Sequence, residues 1–257
     1  MNKNFFLLLF SLFLLTACAT DPKEHTAGWD ADQLYEEAKK ALKDDDYRTA
    51  IRYYELLEAR HPFGPYAQQA LLESIYAYYK HNEPESAIVT ADRFIQQYPR
   101  HPNIDYVYYM KGLVNFEMNQ GLFDRFLPLD KSQRDQTVAM NSFRDFAELL
   151  QRFPQSRYAE DAEKRMLYLR NSAAQYELNV AEFYMVRGAY LAAANRAKNV
   201  IEGFQRTPAV PDALALMVKA YRILQLDDLA NQSLQVLQLN YPNHPKLSEL
   251  NALHIEG

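Results

Sequence analysis

The stretch AIRYYELLEARHP, Ala50–Pro62, returns four more times along the chain: as AIVTADRFIQQYP (Ala87–Pro99), SFRDFAELLQRFP (Ser142–Pro154), AANRAKNVIEGFQ (Ala193–Gln205) and ANQSLQVLQLNYP (Ala230–Pro242). Each copy opens on a small residue twelve positions before its end. Four of the five end in proline, and four place an aromatic just before that last position. Each feature has a mechanical cause. A small residue lets two helix axes approach closely where they cross, and proline, without an N–H and with a fixed ring, cannot continue a helix. The copies therefore read as the second helices of five helix pairs, each stopped at its proline and topped by an aromatic.

Upstream of each copy lies another amphipathic segment. In the last repeat Leu214, Met217, Val218, Tyr221 and Leu224 fall on one helical face. Asp30 followed by Gln33 reads as a capping start for the first helix, and Asp44-Asp45-Asp46 as a solvated turn before the second. No run of alternating β-branched residues argues for a strand. Small residues with a terminal proline at this spacing resemble the tetratricopeptide signature, so the fold class expected is all-α, a tetratricopeptide-type helical-hairpin solenoid of about five repeats over residues 30–245.

The repeat ends are 37, 55, 51 and 37 residues apart, so two repeats carry insertions. The first falls near 121–137, where Gly121, Pro128 and a cluster of charges break the helical pattern. The second, near 156–172, has neither Pro nor Gly and predicts an unusually long first helix for the fourth repeat. Residues 246–257 read as a C-terminal tail.

At the other end, Lys3 precedes an apolar run of about eleven residues, too short for the roughly 20 that a membrane-spanning helix needs, so residues 1–17 read as a secretory signal peptide. The run ends in Leu15-Thr16-Ala17-Cys18, which resembles a lipoprotein signal-peptidase site. Cys18 is the only cysteine in the chain and is the expected acyl acceptor, carrying diacylglycerol and an N-acyl chain. Several acyl chains anchor where one would bind reversibly. Ala19, where an aspartate would favour inner-membrane retention, points to the outer membrane. Residues 18–29, polar and without helical period, read as the lipidated N-terminus and a flexible tether.

With 28 cations against 33 anions the chain is acidic, with formal charge −5. It offers no basic field for nucleic acid. One cysteine allows no internal disulfide and no Cys-rich zinc site. Signature motifs for zinc proteases, serine hydrolases and phosphate loops are missing from the sequence. His61, His101 and His244 each stand directly before a proline in the turns between repeats, where the repeat accounts for them. No catalytic residue, metal site or cofactor beyond the covalent lipid is expected. The nineteen tyrosines, clustered as Tyr53-Tyr54, Tyr76 with Tyr78-Tyr79 and Tyr106 with Tyr108-Tyr109, read as fillers between stacked helices with hydroxyls reaching water, or as amphipathic anchors for a peptide.

Particular motifs go beyond the generic repeat. His61-Pro62-Phe63-Gly64-Pro65-Tyr66, Ile75-Tyr76-Ala77-Tyr78-Tyr79-Lys80, His101-Pro102-Asn103-Ile104-Asp105-Tyr106-Val107, Arg134-Asp135, Val180-Ala181-Glu182-Phe183-Tyr184, Arg187-Gly188-Ala189-Tyr190 and Asn195-Arg196 together resemble the BamD (ComL-type) family of outer-membrane protein assembly lipoproteins. The resemblance spans most of the chain after Cys18 but not the part beyond Pro245. It implies a non-catalytic scaffold of the β-barrel assembly (Bam) complex, lipid-anchored in the outer membrane and facing the periplasm. Such a scaffold joins BamA to other Bam lipoproteins and helps receive unfolded outer-membrane β-barrel proteins. By the same resemblance Arg187 and Arg196 match BamA-binding positions in the C-terminal repeats. The turn Phe63, Gly64, Pro65 and Tyr66 is the candidate substrate-binding loop. The residues alone leave plainer roles open: solvated helix charges for the arginines, and a turn fixing repeats one and two for Phe63–Tyr66. A peptidoglycan-associated periplasmic scaffold is the alternative function, and a wall hydrolase with paired carboxylates a third.

Overall fold

Asp30 accepts a 2.8 Å hydrogen bond from the amide of Gln33 and so starts the first helix, α1 (Ala31–Lys43). Asp46 does the same for α2 (Tyr47–Arg60) through the amide of Thr49 at 3.2 Å. Each such cap satisfies an otherwise orphaned amide and contributes about 1 kcal/mol. The Thr49 bonds also hold the Asp46 carboxyl below its usual range. The computed structural model describes residues 26–120 and 136–252. The signal segment 1–17, Cys18, the tether through residue 25, insertion residues 121–135 and the last five residues lie outside the described residues.

Further along come α3 (Ala67–Lys80), α4 (Pro84–Gln97), α5 (Ile104–Gln120), α6 (Gln136–Arg152), α7 (Ala159–Val186), α8 (Tyr190–Gly203), α9 (Val210–Ile223), α10 (Asp227–Asn240) and a short α11 (Leu247–Ala252). Every regular element among the described residues is helical, as the repeat predicts. Gln136 and Thr137, expected at the end of the insertion, open α6. The expected long helix is α7, 28 residues or about 42 Å at 1.5 Å per residue. Residues 247–252, within the expected tail, form α11 and bury Leu250.

Two kinds of turn alternate, and each repeats nearly atom for atom. Inside the hairpins one residue takes the left-handed conformation: Asp45 (φ 59°), Asn82 (63°), Gly188 (74°) and Gln225 (59°). The next amide then reaches back five residues, Asp46 to Ala41, Glu83 to Tyr78, Ala189 to Tyr184 and Leu226 to Tyr221, at 2.9–3.0 Å. This closes the orphan carbonyls of the preceding helix.

Between the hairpins the residue before each repeat end keeps one last helical bond: His61 to Leu57, Tyr98 to Phe94, Phe153 to Leu149, Phe204 to Val200 and Tyr241 to Leu237, at 2.8–3.0 Å. Proline ends the helix there, except at Gln205. After it the amides of Gly64, His101, Ser156, Thr207 and His244 donate to the carbonyls of His61, Tyr98, Phe153, Phe204 and Tyr241. Arg206, in the turn without the proline, takes a positive φ of 64°.

The chain divides into two compact units, Met1–Thr90 and Ala91–Gly257. The first packs α1 on α2 and α2 on α3 around Leu34, Tyr35, Ala38, Tyr54, Leu57 and Ala70. In the second, α5 packs on α6, and α7 packs on α6, α8 and α9. Its larger core runs from Leu178 and Ala181 through Val200, Leu214 and Val218 to Leu237 and Leu250. The five aligned small residues, Ala50, Ala87, Ser142, Ala193 and Ala230, are all at 0 % exposure, which is why nothing larger recurs there. Ser142 fills its place with a 2.9 Å bond to the carbonyl of Gly112. Leu214, Met217, Val218 and Tyr221 are buried along the expected face of α9.

Residues Thr26–Trp29 depart from the expected tether. Thr26 is fully buried, its carbonyl and hydroxyl accepting from the two terminal nitrogens of Arg60. Trp29 packs on Tyr53 with ring centroids 5.3 Å apart. A polar segment can dock when a distant side chain satisfies its backbone.

Candidate functional site: protein-docking surfaces

The turn 61–66 is best judged against its four siblings. Counting from the helix end, the third turn position is Phe63, Arg100, Gln155, Arg206 and Asn243, all exposed. Four of the five are polar and solvated. Phe63 is 99 % exposed, its ring in water where the fold does not require an apolar group. Burying a phenylalanine is worth about 1.5–3 kcal/mol, and Phe63 contributes none of that to the core.

Its neighbours serve the turn. Gly64 lies so close to His61 that a Cβ would sit 3.2 Å from the carbonyl oxygen. Tyr66 stacks on Tyr35 with centroids 4.4 Å apart and planes within 11°. The same pairing recurs two repeats on, where Tyr158 stacks on Tyr109 at 4.7 Å and 17°; both Tyr66 and Tyr158 occupy the helix N-cap. The expected recognition turn thus divides: Gly64, Pro65 and Tyr66 build it, and Phe63 is what it presents.

Several of the tyrosines expected to fill gaps between helices bond carboxylates. Tyr54 donates to Glu73 at 2.7 Å, Tyr35 to the other oxygen of Glu73 at 3.3 Å, and Gln69 joins at 2.8 Å. Tyr109 donates to Asp161 at 2.8 Å and Tyr78 to Glu55 at 2.7 Å. Burial, then the bond to Asp161, pushes Tyr109 up to about 12. These side chains lock hairpins together.

A second surface lies at the α7–α8 turn. Arg187 caps α7 and lays its guanidinium over Phe183 at 5.0 Å. Phe183, Val186 (87 % exposed) and Leu191 leave an apolar patch around it. Sequence reading missed this patch, although Val186 falls off the stripe of Leu178 and Ala181 and could have been noticed there. Beside it an open groove of about 430 Å³ is lined by Glu182, Met185, Val186, Tyr190, Leu216 and Lys219 among others.

Arg196 is placed differently. Its Nη1 is 3.1 Å from both carboxylate oxygens of Glu177, a pair that raises its pKa further, and its side chain is 40 % exposed. The two arginines share a hairpin, yet Arg187 faces solvent over an aromatic whereas Arg196 ties α8 to α7.

The turn histidines have structural partners. His101 packs edge-on against Phe94 and accepts from the amide of Asn103 at 3.1 Å, and His244 lies 3.5 Å from Asp212. Cys18 lies outside the described residues.

Residues 28–249 match the family model YfiO, described as an outer membrane lipoprotein. "Outer membrane protein assembly factor BamD" of Neisseria meningitidis serogroup B is 41 % identical over 249 residues, 95 % of this chain and 93 % of that protein. The protein of the same name from Xylella fastidiosa (strain Temecula1) is 39 % identical over 241 residues, 93 % of this chain and 82 % of that protein. Among solved structures, PilW, a type IV pilus biogenesis factor, aligns at a TM-score of 0.35 and 16 % identity over 86 % of this chain and 98 % of its own.

Proposed function

Because the chain belongs to the YfiO family of outer-membrane lipoproteins, the family of the BamD assembly factors, we propose that it is a non-catalytic, lipid-anchored scaffold that works through two separate protein-docking surfaces. It is an outer-membrane protein assembly factor of the Bam complex. In the proposed division of labour the 61–66 turn receives unfolded outer-membrane β-barrel proteins through Phe63. The α7–α8 turn, with Arg187 amid Phe183, Val186 and Leu191, docks BamA. Cys18 carries the acyl chains that hold the body on the periplasmic face of the outer membrane. Other Bam lipoproteins complete the assembly.

The observation that carries the substrate surface is the solvated ring of Phe63 at a turn position filled by polar residues in the four sibling turns. A large apolar group flanked by a rigid turn is the form that protein-binding hot spots take. For BamA it is the exposed arginine on an apolar patch, a combination enriched at interfaces.

Mild-detergent purification of the tagged protein from outer membranes, with Cys18→Ser as the unanchored control, tests both surfaces. A BamA-like barrel recovered in stoichiometric amount, lost in Arg187→Glu and kept in Phe63→Ser, is the expected pattern. A photo-crosslinker at residue 63 should capture unfolded barrel precursors. Recovery of cell-wall fragments without any barrel would replace this reading with the peptidoglycan scaffold.

A further inference from the structure

The end of the anchor segment is docked. Arg60, in the last turn of α2, donates through Nη1 to the carbonyl of Thr26 and through Nη2 to its hydroxyl, the latter at 3.1 Å. Three residues on, Trp29 packs against Tyr53 at 5.3 Å, and the guanidinium of Arg52 lies 4.9 Å from the other partner, Tyr53. Thr26 is completely buried in this contact. A charge-assisted, two-pronged bond to a buried backbone group is a strong one.

We infer that this clamp limits the reach of the anchor and biases the facing of the first unit at the membrane, so that the end carrying the 61–66 turn lies nearer the lipid surface on average. The inference rests on the reading of Cys18 as the acylated residue, not on the substrate reading of Phe63. Eight residue steps separate Cys18 from Thr26, and a trans chain gains at most about 3.5 Å per step, so Thr26 lies within about 28 Å of the acylated residue. Were the chain released back to Asp30, the limit would be about 42 Å.

Arg60 immediately precedes the turn, so the clamp holds the anchor segment at that end of α2. The opposite end of α3, at His81, is a 14-residue helix away, about 20 Å. Trp29 and Phe63 stand at the clamped end; tryptophan favours the membrane–water interface, and Phe63 adds an exposed apolar ring.

Trp29 is the only tryptophan in the sequence and therefore a built-in donor. The full-length lipidated protein is reconstituted in vesicles containing dansyl-labelled phosphatidylethanolamine, and energy transfer from tryptophan is read. In a Trp29→Phe background, Phe63→Trp should transfer at least twofold more than His81→Trp; equal or reversed transfer would overturn the facing. In the Trp29→Phe, Phe63→Trp background, Arg60→Ala frees the body from the anchor segment and should lower transfer, and unchanged transfer in a variant with native circular dichroism would overturn the clamp. If Arg60→Ala does not fold, a six-residue Gly-Ser insertion between Asp21 and Pro22 lengthens the reach with the clamp intact. It should lower transfer likewise, and no change there refutes the proposal. Vesicle flotation of Cys18→Ser separates the premise from the inference: flotation equal to the parent protein removes the lipid anchor and the proposal with it, whatever the transfer shows.

Discussion

The ring of Phe146 on α6 lies against the backbone of Gly112 on α5, so that a Cβ on residue 112 would stand 2.6 Å from two ring carbons. Phe146 is fully buried and packs against the rings of Tyr109 and Phe116. Gly112→Ala should therefore push α5 from α6 and cost about 1–3 kcal/mol through overpacking, read as a lower urea midpoint. A stability equal to the parent protein would mean that the hairpin gives way more easily than its close packing implies.

Gly188 and Gln225 occupy the same left-handed turn position in successive hairpins. A Cβ at Gly188 meets nothing within 4 Å, so Gly188→Ala isolates the backbone term and should destabilise by about 1 kcal/mol. Gln225→Gly relieves that strain and should stabilise by about 0.5–1 kcal/mol, the gain offset in part by unfolded-chain entropy. Thermal melts of the two variants should move in opposite directions.

Tyr54 and Tyr35 share the carboxylate of Glu73. Burial, followed by the bond and the charge of that carboxylate, drives the Tyr54 hydroxyl well above its ordinary value; burial and Glu73 do the same to Tyr35. Since the folded values exceed the unfolded value near 10, the stability these phenols contribute is intact below pH 10 and drains away as pH rises past it. At neutral pH Tyr54→Phe should cost about 1–3 kcal/mol, the value of a bond to a charged acceptor. Urea curves at rising alkaline pH should show the parent losing stability faster than the variant, and parallel curves would contradict the coupling.

Arg187→Glu and Arg196→Glu should separate binding from folding. Arg187 stands exposed over Phe183, so reversing it leaves the melting temperature nearly unchanged while reducing recovery of BamA. Arg196→Glu sets a second carboxylate against Glu177. After solvent screening, that should cost about 1 kcal/mol of stability, so its binding defect must be corrected for the folded fraction. Equal melting losses in both would refute the distinction.

Much of the fold was legible because its rules are local. The recurrence of small residue and proline at a spacing of twelve located every second helix, and the absence of Pro and Gly across 156–172 foretold the length of α7. The proposed docking surfaces were half legible. The turn 61–66 was singled out by its resemblance to a family motif, but its division into a solvated Phe63 and a stacked Tyr66 depends on which side of the turn meets α1, and Tyr35 is 31 positions away in sequence. The clamp was invisible for the same reason: nothing near Thr26 announces that Arg60 will satisfy it. Arg196 was found without its partner, since the pair with Glu177 exists only once the hairpin closes.

Helix α7 has a consequence for how the second unit comes apart. In tandem-repeat proteins each repeat is a nearly independent thermodynamic site, coupled only to its neighbours, and arrays can melt from the ends inward. Here one uninterrupted 28-residue helix packs on α6, α8 and α9. No boundary is left inside it where melting could pause. The repeats that meet along α7 should unfold in a single cooperative transition, its denaturant sensitivity set by their joint buried area rather than by that of one hairpin.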